Sequence, residues 1–234
     1  MTAVDFHFDV MCPWAYQTSK WIREARRCRD ITVRWRFFSL EEVNRMEGKK
    51  HPWEREWSYG WSMLRVAALL RRQPEPKGND LVDRFYEVAG RMLHEDGVKV
   101  HTPAGVEAVL SEIGEDPSLV AQAIDDPSTH DDVRADHQRA VDLGGYGVPT
   151  LVITATPTTT PTTAPTTIFG PVITPAPTGE EAGRLWDLVI GWQEFPHLYE
   201  IRRPKVERDW EHIQASFSPY LNARDWRTIE NPVA

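Results

Sequence analysis

Val4-Asp5-Phe6-His7-Phe8-Asp9, followed by Cys12-Pro13-Trp14-Ala15, is the stretch on which the fold turns. The first run is rich in aromatic and β-branched residues and reads as a strand. Pro13 to Cys28 reads as a helix, with Pro13 in the first turn, where no backbone N–H is required. Ile31 to Phe38 alternates in its first half and reads as a second strand. A β-α-β opening favours a parallel pair joined by a right-handed crossover. Cys12 then lies at a strand-to-helix junction. Free N–H groups of the first helical turn point at such a sulfur and stabilise its thiolate. The expectation is a low-pKa nucleophile for disulfides or electrophiles. The same geometry carries Cys-x-x-Cys redox pairs, but position 15 is alanine. The attacking sulfur is present and the resolving one is absent.

Cys28 does not replace it. The two cysteines flank one helix, which at about 1.5 Å per residue separates them by roughly 24 Å. A disulfide needs Cα atoms closer than about 7 Å. Cys28 reads as a small, partly buried apolar residue.

The chain has 234 residues, enough for one substantial core with an inserted subdomain. A formal charge of −8 argues against nucleic acid as a partner. No apolar run approaches the roughly 18 residues of a membrane span. The N-terminus has neither a basic start nor an apolar core, so no signal peptide is expected and the setting is cytoplasmic. His7, His94, His101 and His137 show no compact ligand spacing, so no metal is expected. His7 could tune the thiolate, though a packed strand histidine is the simpler reading; His94 precedes Glu95-Asp96-Gly97 and suits a helix C-terminus. Arg23, Arg26, Arg27 and Arg29 read as a solvated helix face. The ten tryptophans suit a core and an aromatic-lined cleft.

Beyond the opening, helical periodicity runs through Trp61–Arg72, Asp80–His94, Thr102–Ile113, Pro117–Asp125 and Ser128–Leu143, with start signals at Thr102-Pro103, Asp116-Pro117 and Ser128. Strand character returns at Thr150–Thr154 and Thr167–Gly170, with a Thr/Pro tract between them. That tract cannot build a core and reads as an extended loop over 154–167; a glycosylated or partner-binding segment is the minor alternative. Gly179–Trp192 is a further amphipathic helix. The tail, 201–234, is expected to wrap the surface, with a short helix around Glu207–Ala215. The order is β-α-β, helical block, β-β-α. Residues 1–52 and 145–200 then form an α/β thioredoxin-like domain, and 53–144 an all-helical insertion.

Gly147-Val148-Pro149-Thr150 stands directly before the third strand, and a cis Val148–Pro149 bond suits it. With this loop the chain resembles the DsbA-like thioredoxin-fold oxidoreductases, in the branch that also holds FrnE-type proteins and 2-hydroxychromene-2-carboxylate isomerases. It is most similar to the actinobacterial mycothiol-dependent nitroreductase (mycoredoxin-like) group. The resemblance rests on Asp5–Asp9 with Cys12-Pro13-Trp14, Thr18–Ile22, Ser39-Leu40 with Asn44, Trp61 with Arg65–Ala67, Gly147–Thr150, Phe169–Val172, Gly179–Asp187 and Phe195–Glu200, in order over roughly residues 4–205. Redox members carry Cys-Pro-Trp-Cys, so Ala15 is a departure. So is the Thr/Pro loop, which is short in the family.

The resemblance implies a site made of Cys12 as nucleophile, with Pro13, Trp14, Ala15, Asn44, Trp61, Val148, Pro149 and Thr150 around the bound thiol or substrate. It implies a monothiol thiol-disulfide oxidoreductase or reductase. Mycothiol or glutathione would be its co-substrate, replacing the absent sulfur, and a small disulfide or electrophile its substrate. No tightly bound cofactor is expected, and relatives imply a homodimer. Two other readings stay open: a thiol-cofactor-dependent isomerase or transferase, in which Cys12 orients the cofactor's sulfur, and a non-catalytic binding module that uses the aromatic cleft.

Overall fold

A computed structural model describes residues 1–155 and 165–223. Strand β1 (Thr2–Phe8) leads through Asp9–Cys12 into α1 (Pro13–Cys28), which returns to β2 (Ile31–Phe37). A helical block follows: α2 (Leu40–Val43), α3 (Tyr59–Arg71), α4 (Lys77–His94), α5 (Pro103–Ile113), α6 (Leu119–Asp125) and α7 (Ser128–Asp142). The chain then re-enters the sheet as β3 (Thr150–Ala155) and β4 (Thr166–Phe169) and continues through α8 (Gly179–Gly191) to α9 (Glu207–Ala223). The strand order is β2-β1-β3-β4; β1 and β2 are parallel, and β3 is antiparallel to both β1 and β4. The fold is α/β, thioredoxin-like with a helical insertion.

Alternation divides the sheet into two unlike faces. Val4, Phe6 and Phe8 of β1 lie in register with Val33, Trp35 and Phe37 of β2, and all six are buried. Tyr86 of α4 stacks on Phe8 with ring centroids 4.0 Å apart. Each such side chain contributes about 1.5–3 kcal/mol of burial. The other face is polar. Asp5 is ion-paired with Arg34 at 2.6 Å, and Asp136 of α7 accepts from the Phe37 amide at 3.0 Å. His7 is fully buried on this face, and desolvation pushes it down to about 4. Its charged neighbours are Asp5, Asp136 and Arg36, which makes it a packed strand histidine.

Two expectations change. The arginines of α1 are a solvated face only in part: Arg26 and Arg27 are exposed, but Arg23 is buried, 2.7 Å from Asp83, and Arg26 reaches the same carboxylate at 2.8 Å. Arg29 clamps Glu180 and Asp187 of α8 at 2.7 and 2.8 Å. The reason is α8 and α4, which bring carboxylates to that side of α1. The tail does more than wrap the surface. Its helix extends to Ala223, and Phe217, Tyr220 and Ala223 are buried. Pro219 lies near the end of this helix, where it removes one late hydrogen bond rather than breaking the element. The Thr/Pro tract lies mostly outside the described residues, as do 224–234.

Candidate active site at the Cys12 junction

Cys12 is the N-cap of α1, with extended backbone at φ −91°, and Pro13 follows at the first helical position. The Ala15 amide donates to Sγ at 3.4 Å, which meets one of the donors left free at a helix start. The thiol in turn donates to the carbonyl of Val148 at 3.6 Å. Val148–Pro149 is cis. The loop is braced on both sides: Thr150 Oγ1 donates to the Gly147 carbonyl at 2.7 Å, and the Gly170 amide donates to the Pro149 carbonyl at 2.9 Å. Cys12, Ala15, Phe38, Ala140 and Val148 form one small apolar cluster, with Trp14 and Leu40 packed against it.

Asp9 holds the approach to this cap. It is completely buried, and its two oxygens accept from the amides of Met11 at 2.9 Å and Leu40 at 2.7 Å. Burial pushes its carboxyl up to about 7, against the pull of those two amides. On the other side His94, the last residue of α4, bonds through Nε2 to the Val10 carbonyl at 2.8 Å and stacks on Tyr16. Desolvation holds His94 down at about 4, so its ring is neutral.

The expected acidity of Cys12 is not present in this state. The residue is 6% exposed, and burial pushes its thiol up to about 12, with the nearby charge of Asp9 adding to the rise. The amides of Ala15 and Trp14 pull the other way, as the N-terminus of a helix should. Desolvation exceeds that pull because the sulfur lies among Phe38, Ala140 and Val148 rather than at an open cleft.

Pro13, Trp14 and Ala15 form the first turn after Cys12, Val148 accepts from its thiol, and Pro149 and Thr150 continue that loop into β3. Asn44 and Trp61 do not join them. Asn44 caps the end of α2, exposed, and its side-chain amide donates to the Leu40 carbonyl at 2.9 Å. Trp61 is 1% exposed in the main core, with its indole N–H donating to His130 Nδ1 at 2.8 Å. Helix α3 is buried on nearly every side, so its tryptophan packs within the insertion. Phe217 of the tail helix went unnoticed in the sequence; His94 reads there only as a helix end, which it is, and Asp9 only as part of the first strand's motif, without their roles beside the Cys12 cap. An Asp at the end of an aromatic strand, three residues before the cysteine, was the available signal for Asp9. Phe217 carried none, because it lies outside the resemblance.

A cysteine capping the first helix of a β-α-β unit, facing a cis-proline loop at the start of an antiparallel strand, is the arrangement of DsbA-like thioredoxin-fold oxidoreductases. The chain is a thiol-dependent oxidoreductase of that class. Within it, the chain belongs to the Rv2466c-like family, described by the mycothiol-dependent nitroreductase Rv2466c, whose model matches residues 11–203. It is 51% identical over 229 residues to the uncharacterized protein Rv2286c of Mycobacterium tuberculosis, a match covering 98% of this chain and 94% of the relative. The probable DsbA oxidoreductase SCO1869 from Streptomyces coelicolor is similar in structure, with a TM-score of 0.56 at 19% identity over 89% of this chain and 97% of the other. A 2-hydroxychromene-2-carboxylate isomerase superposes with a TM-score of 0.51 at 15% identity, over 82% of this chain and 95% of the other. Among the described residues no helix is long and apolar enough to cross a membrane.

Proposed function

We propose that the chain is a one-cysteine thiol-disulfide oxidoreductase that takes its second sulfur from a low-molecular-weight thiol. The observation that carries this reading is the Cys12 cap itself. Sγ faces the Ala15 amide on one side and the Val148 carbonyl on the other, and position 15 holds a buried methyl group where a resolving thiol would stand. Cys12 attacks the thiol-derived sulfur of a mixed disulfide X–S–S–R. A new S–S bond forms between Cys12 Sγ and the sulfur carried by R, the S–S bond of X–S–S–R breaks, and X leaves as the thiolate X–S⁻, which takes up the proton given up by Cys12 to become X–SH. A second molecule R–SH then attacks Cys12–S–S–R, regenerating Cys12 and releasing R–S–S–R. The sum is X–S–S–R plus R–SH giving X–SH plus R–S–S–R, with no oxidant or reductant unaccounted for.

The family's description favours mycothiol as R over glutathione. In this cycle the substrate X–S–S–R is a small mixed disulfide; an electrophile such as a nitro compound would instead take two electrons from two R–SH, which leave as R–S–S–R. No tightly bound cofactor enters this cycle. A cytoplasmic setting and a homodimer complete the proposal.

The test is an intact mass after incubation with oxidised mycothiol or glutathione. One adduct on Cys12, reversed by free thiol, is expected; a chain that stays unmodified while Cys12 remains reducible and accessible to alkylation sinks the reading. The thiol pushed up to about 12 favours a second reading, in which Cys12 stays protonated and orients a thiol cofactor, as an isomerase would require. Activity that survives Cys12→Ser, with the thiol still bound, selects that reading. Tight ligand binding with no turnover of any kind would select a binding module.

A further inference from the structure

We infer that Phe217 of α9 is a positioning residue that latches Trp14 over Cys12, so that the C-terminal helix governs access to the sulfur. The inference rests on the reading of Cys12 as the reactive thiol. Phe217 is 7% exposed and meets Trp14 edge-on, with ring centroids 4.7 Å apart and planes at 86°. Trp14 is half-buried against the cluster that contains Cys12. The contact is therefore a chain of two rings, with the tail's ring against the indole and the indole packed on the cluster that contains Cys12. The helix that supplies it begins at Glu207, beyond the residues matched by the family model.

The seating of α9 is uneven along its length. Trp210, Ile213, Phe217 and Tyr220 recur at intervals of three and four and share one face. The last two are buried. Trp210 is 57% exposed, and Ile213 is half-buried. Tyr220 leans on His94 with ring centroids 4.9 Å apart, and Pro219 sits over Gly97, whose lack of a side chain lets the two backbones approach. The first turns carry few such contacts, and the preceding segment has no regular structure, with Tyr199 and Ile201 exposed. A helix held at one end and loose at the other opens locally at low cost. Phe217 is at the boundary between the two halves. A disulfide with a bulky polar headgroup reaches Cys12 by lifting Trp14, and Trp14 lifts when Phe217 leaves it.

The experiment is the rate of iodoacetamide alkylation, read separately for Cys12 and Cys28 by peptide mass at one fixed pH. Cys28 is the internal control, because it lies at the opposite end of α1 and is only partly buried. Phe217→Ala is expected to accelerate Cys12 by about two- to tenfold, the worth of an edge-on aromatic pair, and to leave Cys28 unchanged. Phe217→Leu, which keeps an apolar side chain on the indole, is expected to recover most of the protection. Equal acceleration of both cysteines, or of neither, overturns the latch. A second measurement uses the unsubstituted chain and so survives an alanine variant that does not fold. After Cys12 is alkylated, amide exchange in 213–223 is expected to rise; unchanged exchange overturns the proposal. If the rates behave as expected while no thiol adduct forms on Cys12, the mixed-disulfide reading fails and the latch stands.

Discussion

The two ends of α1 each carry a cysteine, and they face opposite chemistry. At the N-terminal end Cys12 Sγ receives the Ala15 amide; at the C-terminal end Cys28 Sγ donates to carbonyls, those of Ala25 and Gly179 at 3.4 Å and of Glu24 at 3.8 Å. The helix dipole favours a thiolate at the first end and opposes one at the second. Yet Cys12 is the more buried of the two, and burial sets its acidity. Position on the helix therefore decides which cysteine can become a nucleophile, while tertiary cover decides whether it is one in the closed state.

The contrast breaks most severely if the wrong end carries the chemistry. Cys12→Ser is expected to abolish thiol-dependent turnover and the mixed-disulfide adduct in mass spectra, whereas Cys28→Ser retains both. The next test restores what the sequence lacks. Residues three apart at a helix start have Cα atoms about 5 Å apart, within the range of about 4.4–6.8 Å that a disulfide accepts. Ala15→Cys is expected to form an internal disulfide, seen as the loss of two hydrogens, and to release a trapped adduct without external thiol. Persistence of the adduct would break the claim that position 15 alone forces dependence on a second thiol.

Two pH experiments sharpen the role of burial. Between about 9 and about 12 the folded chain holds a proton on Cys12 that the unfolded chain has lost. Stability therefore falls as pH rises through that window, by about 1.4 kcal/mol per unit at most. Denaturant midpoints of wild type against Cys12→Ser are expected to converge as pH rises, because only the wild type carries this penalty. Asp9 gives the same sign at lower pH. Its folded carboxyl sits at about 7 against an ordinary 3.8, so its contribution is lost as pH rises between those values. Asp9→Asn is expected to flatten that slope, measured by urea unfolding from pH 4 to 7. The smallest effect belongs to the far end of the helix: Cys28→Ser is expected to shift stability by about 1 kcal/mol or less, checked by thermal melting.

Much of the fold was legible because its signals are local. The aromatic β1, the Pro13 start of α1, the Thr102-Pro103 cap of α5 and the cis Val148–Pro149 turn each follow from residues within a few positions of one another. Those parts of the site that belong to the two loops, Cys12 to Ala15 and Val148 to Thr150, came with them. Trp61 was assigned to the cleft, although α3 is buried on nearly every side and its tryptophan packs against Trp53 and His130 of the helical block. Asn44 was assigned there too, but its amide is spent on its own helix. Phe217 lies more than 200 residues from Trp14 in the chain, and no local pattern connects such a pair.

The sequence by itself determined the β-α-β opening, the single sulfur at its junction and the absence of a second one at position 15. These are matters of residue identity and short-range backbone preference. Only the tertiary structure decided the state of that sulfur. Desolvation depends on what packs around a group, and here the packing comes from β2's end, α7, the cis-proline loop and Trp14, with the tail helix holding Trp14 in turn. The helix amides favour charge on Cys12, and the cover keeps it neutral.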